Sequence, residues 1–348
     1  MVASAALLQG KILDGDWKVI SPAPKESGAT GGNFSICYIV ESHNGKRAFL
    51  KALDYSKALM STDPARALQA MTETFNFERD VLNKCKNDKL DRIVTAITDG
   101  TVRIENQPDG GVVQYLIFEL ADGDVRRQSS LIAQFDQAWL LRSLHHIATG
   151  LHQLHGHGIA HQDLKPSNVL VFNGNSSKIA DFGRAAYKGH VPPHEDYQVP
   201  GDPQYAPPEQ LYDFIDPNWN RRRFGCDTYL LGSMAVFFFL GTGMTPLLFS
   251  ELPEPYHYSK WGGKYEEVLP YLKNAFHKIL EDYRQALPVP LQKDLVNIVS
   301  QLCEPDPSLR GHPKTRISSN PFSLERYISR FDLLAKYAEL DMLHLLQK

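Results

Sequence analysis

No block of lysine and arginine runs through this sequence: its 37 basic and 40 acidic residues are spread over 348 positions, for a formal net charge of −3 with histidine counted neutral. Without a concentrated positive patch there is no electrostatic footprint for nucleic acid or an anionic membrane, and neither is expected as a partner. Cysteine is scarce. Cys37, Cys85, Cys226 and Cys303 lie far apart and form no C-x-x-C pair, which argues against a zinc ribbon or a disulfide framework and points to a reducing, cytoplasmic setting. Thr228 to Met244 is free of charge for 17 residues but holds three glycines. It falls short of the roughly 18–20 residues that span a bilayer, and reads as a core helix. Met1 to Gly10 lacks the basic and long apolar regions of a signal peptide. Internal repeats and low-complexity stretches are absent too.

What is present is a globular composition, 43% hydrophobic and 22% charged, enough to bury a sizeable core and, at about 150 residues per domain, to form two units. The first third reads as strands: Trp17 to Ser21, Ser35 to Glu41, Ala48 to Ala52, Arg92 to Ile97 and Val112 to Leu120 are rich in β-branched and aromatic residues, with Gly, Asn, Asp and Pro between them. One helix interrupts them, starting at the cap-and-proline pair Asp63-Pro64 and reaching about Cys85. From Ala133 helices dominate, and Leu140, Leu144, Ile147, Leu151 and Leu154 repeat at helical spacing. Ser323 reads as the cap of a last helix, Leu324 to about Leu346, with Tyr327, Ile328, Phe331 and Leu334 on one face. That face either packs on the second unit or meets a dimer or partner helix.

The segment richest in chemistry is His161-Gln162-Asp163-Leu164-Lys165-Pro166-Ser167-Asn168, followed by Lys178-Ile179-Ala180-Asp181-Phe182-Gly183. Two acids, an amide and a lysine fall in short loops beside strand-like runs. Phosphoryl transfer needs such a set: a carboxylate to orient the attacking hydroxyl, oxygen ligands for Mg²⁺ and cations for the phosphates. The two motifs resemble the catalytic loop H-R-D-x-K-x-x-N and the metal loop D-F-G of the eukaryotic-type Ser/Thr protein kinase family. The resemblance implies that Asp163 is the catalytic base, Lys165 a γ-phosphate contact, and Asn168 and Asp181 the ligands of Mg²⁺. His161, Phe182 and Gly183 fill structural positions of those motifs.

The resemblance extends along the chain. Glu78 sits within an apolar stripe of Leu68, Met71, Phe75 and Leu82, where an unpaired carboxylate would be costly, and Lys51 is its natural partner in the family. Gly28-Ala29-Thr30-Gly31-Gly32-Asn33-Phe34-Ser35-Ile36-Cys37 stands in place of the glycine-rich phosphate loop, with Gly32 at the second glycine position but Thr30 and Ser35 at the first and third. Gly31, Gly32, Ser35, Cys37 and Leu170 are thereby implied in binding ATP. By the same resemblance Phe118 is the gatekeeper, and the backbone of Glu119 and Ala121 meets adenine. Gly201 to Glu209 resembles the end of an activation segment, Arg310 is the implied partner of Glu209, and Asp227 is taken to begin the apolar helix. The implied architecture is α+β, a bilobal protein-kinase-like fold: an extension (1–16), a small β-rich N-lobe with one helix (17–120), a larger α-helical C-lobe (121–320) and the C-terminal amphipathic helix (321–348).

Three departures stand out. Gln162 replaces the family arginine that reads a phosphorylated activation loop, and residues 184–200 hold no serine or threonine, only the hydroxyls of Tyr187 and Tyr197. An arginine–phosphate pair is the usual ordering device, so activity independent of Ser/Thr phosphorylation there is expected. Asp202 stands where Ser/Thr-specific members carry threonine; it either pairs with Lys165 or raises the pKa of Asp163. Phe49, two residues before Lys51 and so on its face, replaces an alanine that packs on adenine. It either blocks the base or stacks on it, with the small Cys37 opposite giving room. The expected function is transfer of the ATP γ-phosphoryl group to a protein hydroxyl. A catalytically weak scaffold and a small-molecule phosphotransferase are the alternatives. The six histidines between His145 and His161 have partly helical spacing, but no cysteine or acid cluster completes a zinc site.

Overall fold

The structure, a computed structural model, describes residues 3–24, 34–107, 109–132 and 136–346. They form two compact units, Met1–Gly123 and Asp124–Lys348. No single helix among the described residues is long and apolar enough to cross a membrane, although the bent pair Trp219–Leu240 and Met244–Glu251 passes that test together by length and composition.

The first unit is built on six strands: β1 (Ile12–Leu13), β2 (Trp17–Pro22), β3 (Ser35–Glu41), β4 (Arg47–Leu53), β5 (Ala96–Arg103) and β6 (Val112–Glu119). They make one antiparallel sheet in the order β1-β2-β3-β4-β6-β5. Alternation puts Tyr38, Val40, Ala48, Leu50, Ala52, Tyr115 and Ile117 on one face, in a core shared with Ala5, Leu8 and Leu13. The segment read from sequence as a separate extension is therefore part of this core, anchored where the Tyr38 hydroxyl donates to the Ala5 carbonyl (2.8 Å). Two helices follow β4: a single turn, α1 (Ser56–Leu59), and α2 (Pro64–Asn87). Asp63 caps α2 by accepting from the Arg66 N–H (3.1 Å), with Pro64 at its first position.

Strand β5 differs from the expected Arg92–Ile97. It begins at Ala96 and continues through the polar run Thr98 to Thr101. As the edge strand it keeps one side in water, so it lacks the hydrophobic signal of a buried strand. Its Gly100 is required by the fold, because a Cβ there would lie 2.3 Å from the Tyr115 hydroxyl.

The second unit is mostly helical: α3 (Val125–Ile132), α4 (Gln137–Gly156), α5 (Pro208–Leu211), α6 (Trp219–Leu240), α7 (Met244–Glu251), α8 (Tyr265–Ala286), α9 (Val289–Leu302) and α10 (Glu325–Leu346). The apolar stripe of α4 buries Leu144, Ile147, Leu151 and Leu154. Helix α10 lies along α4, burying Tyr327, Phe331, Leu334 and Ala335. Arg142 of α4 fastens it through Asp332 (2.6 Å) and Glu339 (2.7 Å). That face of the C-terminal helix is thus occupied within the chain.

Asp227 does not begin the apolar helix. Helix α6 starts two turns earlier at Trp219, capped by Asn218, which accepts from the Arg221 N–H (3.1 Å). The run Arg221-Arg222-Arg223 lies near its start, paired with Asp216 and Glu195. Gly241, in the left-handed region at φ 74°, ends the helix.

Candidate active site

In the first unit, Lys51 Nζ meets both carboxylate oxygens of Glu78, at 2.9 and 3.0 Å. The partner that the apolar surroundings of Glu78 demand is therefore in place. Pairing sets Cys37 across from Lys51 and Ile39 across from Phe49, with Leu116 and Phe118 as their partners in β6. Paired residues share a face, so Cys37, Ile39, Phe49, Lys51, Leu116 and Phe118 line the side of the sheet opposite its core. Ile39 rather than Cys37 is directly opposite Phe49, a one-pair correction to the expectation from sequence. Ser35 opens β3 across from Leu53. The Glu119 N–H donates to the Thr95 carbonyl (3.1 Å) and its carboxylate accepts from the Thr95 N–H (2.7 Å), so any adenine contact by Glu119 backbone falls to its carbonyl. Ala121 is half-buried just beyond β6. Gly31 and Gly32, with the rest of the glycine-rich stretch 28–33, lie outside the described residues.

In the second unit, the loop from His161 to Asn168 is held from below by Asp227. This fully buried carboxylate accepts from the His161 N–H (2.8 Å), the Gln162 N–H (2.7 Å) and His155 Nε2 (2.9 Å). Helix α6 therefore carries Asp227 to satisfy two buried backbone donors of the loop, since an unpaired buried N–H is costly. His161 Nδ1 accepts from the Asp163 N–H (3.3 Å), which leaves Nε2 to donate to the Ala180 carbonyl (3.0 Å). The buried ring of Phe182 meets His161 edge-on at 5.1 Å.

Asp163 is buried and gripped on both oxygens. Oδ1 accepts from the Asp202 N–H (2.8 Å), and Oδ2 accepts from Asn168 Nδ2 (3.0 Å) and lies 3.3 Å from Lys165 Nζ. Burial raises its pKa above the ordinary aspartate value; the Lys165 charge opposes that rise and the Asp181 charge adds to it. Lys165 also pairs with Asp202 Oδ2 at 3.1 Å. Burial alone would lower the lysine, but Asp163 and Asp202 outweigh it and hold its pKa above normal. Asp202 therefore acts on Lys165 as an ion-pair partner, while the like charge that lifts Asp163 comes from Asp181.

Asn168 turns its amide nitrogen inward to Asp163, and its Oδ1 sits 3.4 Å from the Ser167 hydroxyl. Asp181, half-exposed, occupies the left-handed region at φ 65° immediately before Phe182 and Gly183. An amide oxygen and a carboxylate are hard oxygen donors, the set Mg²⁺ prefers, and they fit that ion. Leu170 is half-buried in the strand Val169–Phe172, paired with Lys178.

Beyond the loop, Glu209 and Arg310 form a two-pronged buried pair, Nη1 to Oε1 at 2.6 Å and Nη2 to Oε2 at 2.8 Å. Sequence reasoning overlooked two features. Gly201 passes so close to the loop that a Cβ would lie 2.4 Å from the Gln162 carbonyl oxygen and 2.9 Å from Asp163 Oδ1. Arg223 of α6 reaches Gln162 and Glu195; the only local signal was the three-arginine run. The histidines of α4 and its following turn serve the fold: His145, His157 and His161 meet backbone carbonyls, and His146 accepts from the Ser177 N–H.

A β-rich unit with a lysine–glutamate pair and a helical unit with a buried aspartate, an amide and a second acid on adjacent loops define a phosphoryl-transfer domain. Residues 28–322 match the family model of the protein kinase domain, and the chain belongs to that family. It is 31% identical over 226 residues to Cell division control protein 2 homolog 3 of Trypanosoma brucei brucei, covering 59% of this chain and 65% of that protein. It is 32% identical over 119 residues to serine/threonine-protein kinase greatwall of Danio rerio (34% of this chain, 13% of that protein). Over 104 residues it is 36% identical to serine/threonine-protein kinase PTK2/STK2 of Saccharomyces cerevisiae (26% and 12%). The matched region thus spans 65% or less of the length of these relatives.

Proposed function

We propose that this chain is a serine/threonine protein kinase that transfers the γ-phosphoryl group of ATP to a hydroxyl of a protein substrate. The observation that carries this reading is the double grip on Asp163, which aims one buried carboxylate with a raised pKa and flanks it with Lys165 and Asn168. As base, Asp163 orients the substrate hydroxyl and takes its proton while the new O–P bond forms and the bond to the ADP leaving group breaks. Lys165 steadies the charge on the transferring phosphoryl. Lys51, positioned by Glu78, serves the α- and β-phosphates, and Phe49 stacks on the base from the same face of β4. Asn168 and Asp181 would hold Mg²⁺, which when bound supplies positive charge to the phosphates. Lysine two positions after the base, in Asp163-Leu164-Lys165, supports serine and threonine over tyrosine as acceptors, as do the names of the relatives. Four cysteines that lie far apart in the sequence, with no C-x-x-C pair, support a reducing compartment such as the cytoplasm.

Mass spectrometry of the protein after incubation with Mg²⁺·ATP and a mixed protein acceptor tests the reading. Phosphoserine and phosphothreonine should accumulate, and Asp181→Ala should lower the rate by roughly 10²-fold, the scale of losing one electrostatic stabiliser. Equal incorporation by both proteins would sink the kinase assignment. No incorporation by wild type would instead favour a scaffold whose base pocket is filled by Phe49.

Gly201→Ala is expected to lower kcat about tenfold to 10²-fold, because displacement of a positioning segment by about 1 Å can cost that much. The new Cβ meets a backbone carbonyl, which cannot swing aside, so the Asp202 N–H must leave Asp163. Steady-state kinetics beside a thermal melt checks it; a folded variant with wild-type kcat would show that this approach is idle.

A further inference from the structure

Two segments of the helical unit, the loop bearing Gln162 and the stretch bearing Glu195, converge on one buried side chain of α6, that of Arg223, which is 2% exposed. Its Nη1 donates to Gln162 Oε1 at 2.6 Å, and its Nη2 pairs with Glu195 Oε2 at 2.5 Å. The preceding residue, Arg222, pairs with the other oxygen of the same carboxylate. Gln162 continues the chain of contacts: Nε2 donates to the Arg184 carbonyl at 3.0 Å, and its N–H donates to Asp227. It adjoins Asp163 and is held at φ 63°, a left-handed conformation costly for a residue with a side chain and kept only where surroundings enforce it. One guanidinium thus links the middle of residues 184–200 to the residue beside the proposed base.

The charges explain why Glu195 is needed. A buried guanidinium must have a counter-charge, and neutral Gln162 cannot provide one. Glu195 is the carboxylate that pairs with Arg223 among the described residues. Burial first, and the Arg222 charge second, lower the pKa of Arg223, and Glu195 counters them. With Glu195 neutral, two neighbouring guanidiniums would face each other, one inside the protein. The same stretch holds no serine or threonine that could acquire a phosphate.

We propose that Glu195 is a positioning residue for phosphoryl transfer: gripped by Arg222 and Arg223, it is a permanent anionic anchor that fixes residues 184–200 and, through Gln162, the loop bearing Asp163, so that the site assembles without a phosphate. Its kinetic consequence rests on the kinase reading above; its structural consequence does not.

The experiment joins kinetics to hydrogen exchange on the full chain purified after phosphatase treatment. Glu195→Gln should lower kcat by about tenfold or more, with the KM for ATP within about threefold of wild type, because the loop is loosened and the nucleotide-binding unit is left alone. Glu195→Asp, which keeps the charge, should recover most of the loss. Asp196→Asn, which removes an exposed charge from the next position, should leave kcat within about twofold. Amide exchange across 184–200 should quicken by about tenfold or more in Glu195→Gln while α4 and α6 stay protected, which also shows that the variant folds. Wild-type kcat and wild-type exchange in Glu195→Gln would overturn the anchor. So would loss of wild-type activity on phosphatase treatment, with recovery tracking a phosphate on Tyr187 or Tyr197. If wild type transfers no phosphate at all, the kinase reading fails, and the exchange data still decide whether Glu195 orders the stretch.

Discussion

Asp163→Asn should lower kcat by about 10²–10⁴-fold, the range that a positioned general base contributes, while ATP still protects the protein against heat. The substitution keeps the volume and one acceptor oxygen but cannot take a proton, so the loss reports on chemistry rather than packing. The same carboxylate should govern the acid limb of kcat/KM. A base works only when deprotonated, so activity is present above its pKa and is lost as pH falls through it. Burial, with the Asp181 charge adding and Lys165 opposing, raises that pKa, so the limb should fall above the ordinary aspartate value of about 3.9. Lys165→Met removes the opposing charge and should move the limb to still higher pH, apart from whatever it does to kcat. A limb that stays put in Lys165→Met, or follows a different group in Asp163→Asn, would remove Asp163 from the role of base.

The largest effect on stability should come from Arg310→Ala. Arg310 is 1% exposed and Glu209 7%, and breaking such a pair from one side leaves a buried charge without compensation, at about 3–5 kcal/mol. For a unit of this size that corresponds to a drop of roughly 6–20 °C in the melting midpoint. Arg310 also donates to the carbonyls of Glu304 (3.0 Å), Gly225 (3.2 Å) and Pro305 (3.5 Å), so its removal strips three more acceptors. The pair ties α5, which follows the Gly201–Pro207 segment, to the turn after α9. Glu209→Leu combined with Arg310→Met should lose less than Arg310→Ala alone, since removing both charges leaves no orphan. Urea and thermal unfolding measure both. A single variant as stable as wild type would mean that the pair is dispensable.

Much of the site was legible because its parts are neighbours in the chain. His161 to Asn168 and Asp181 to Gly183 each place several typed residues within one turn or loop, and the grouping survives whatever the rest of the molecule does. The strands β3, β4 and β6 and the helix α2 were legible for a similar reason: each repeats its hydrophobic residues at its own period and carries caps or turn residues at its ends. The need of Glu78 for a cationic partner could be inferred because an acid within an apolar stripe demands one. Edge strand β5 gave no such signal, since a strand wet on one side need not be hydrophobic. The true start of α6 was hidden because its three arginines find their partners, Asp216 and Glu195, only in the fold.

Residue type and local spacing were enough to name the fold class, the family and a set of candidate site residues, because these depend on short stretches of backbone. The grip of Asp227 on the loop bearing Asp163, the passage of Gly201 against Gln162 and Asp163, the burial of Ala5, Leu8 and Leu13 in the sheet's core, and the Glu195–Arg223–Gln162 chain depend on packing. Each joins groups remote in sequence, and burial sets their energies: a charge or an N–H that water would satisfy at no cost becomes a strict demand for one partner once it is enclosed.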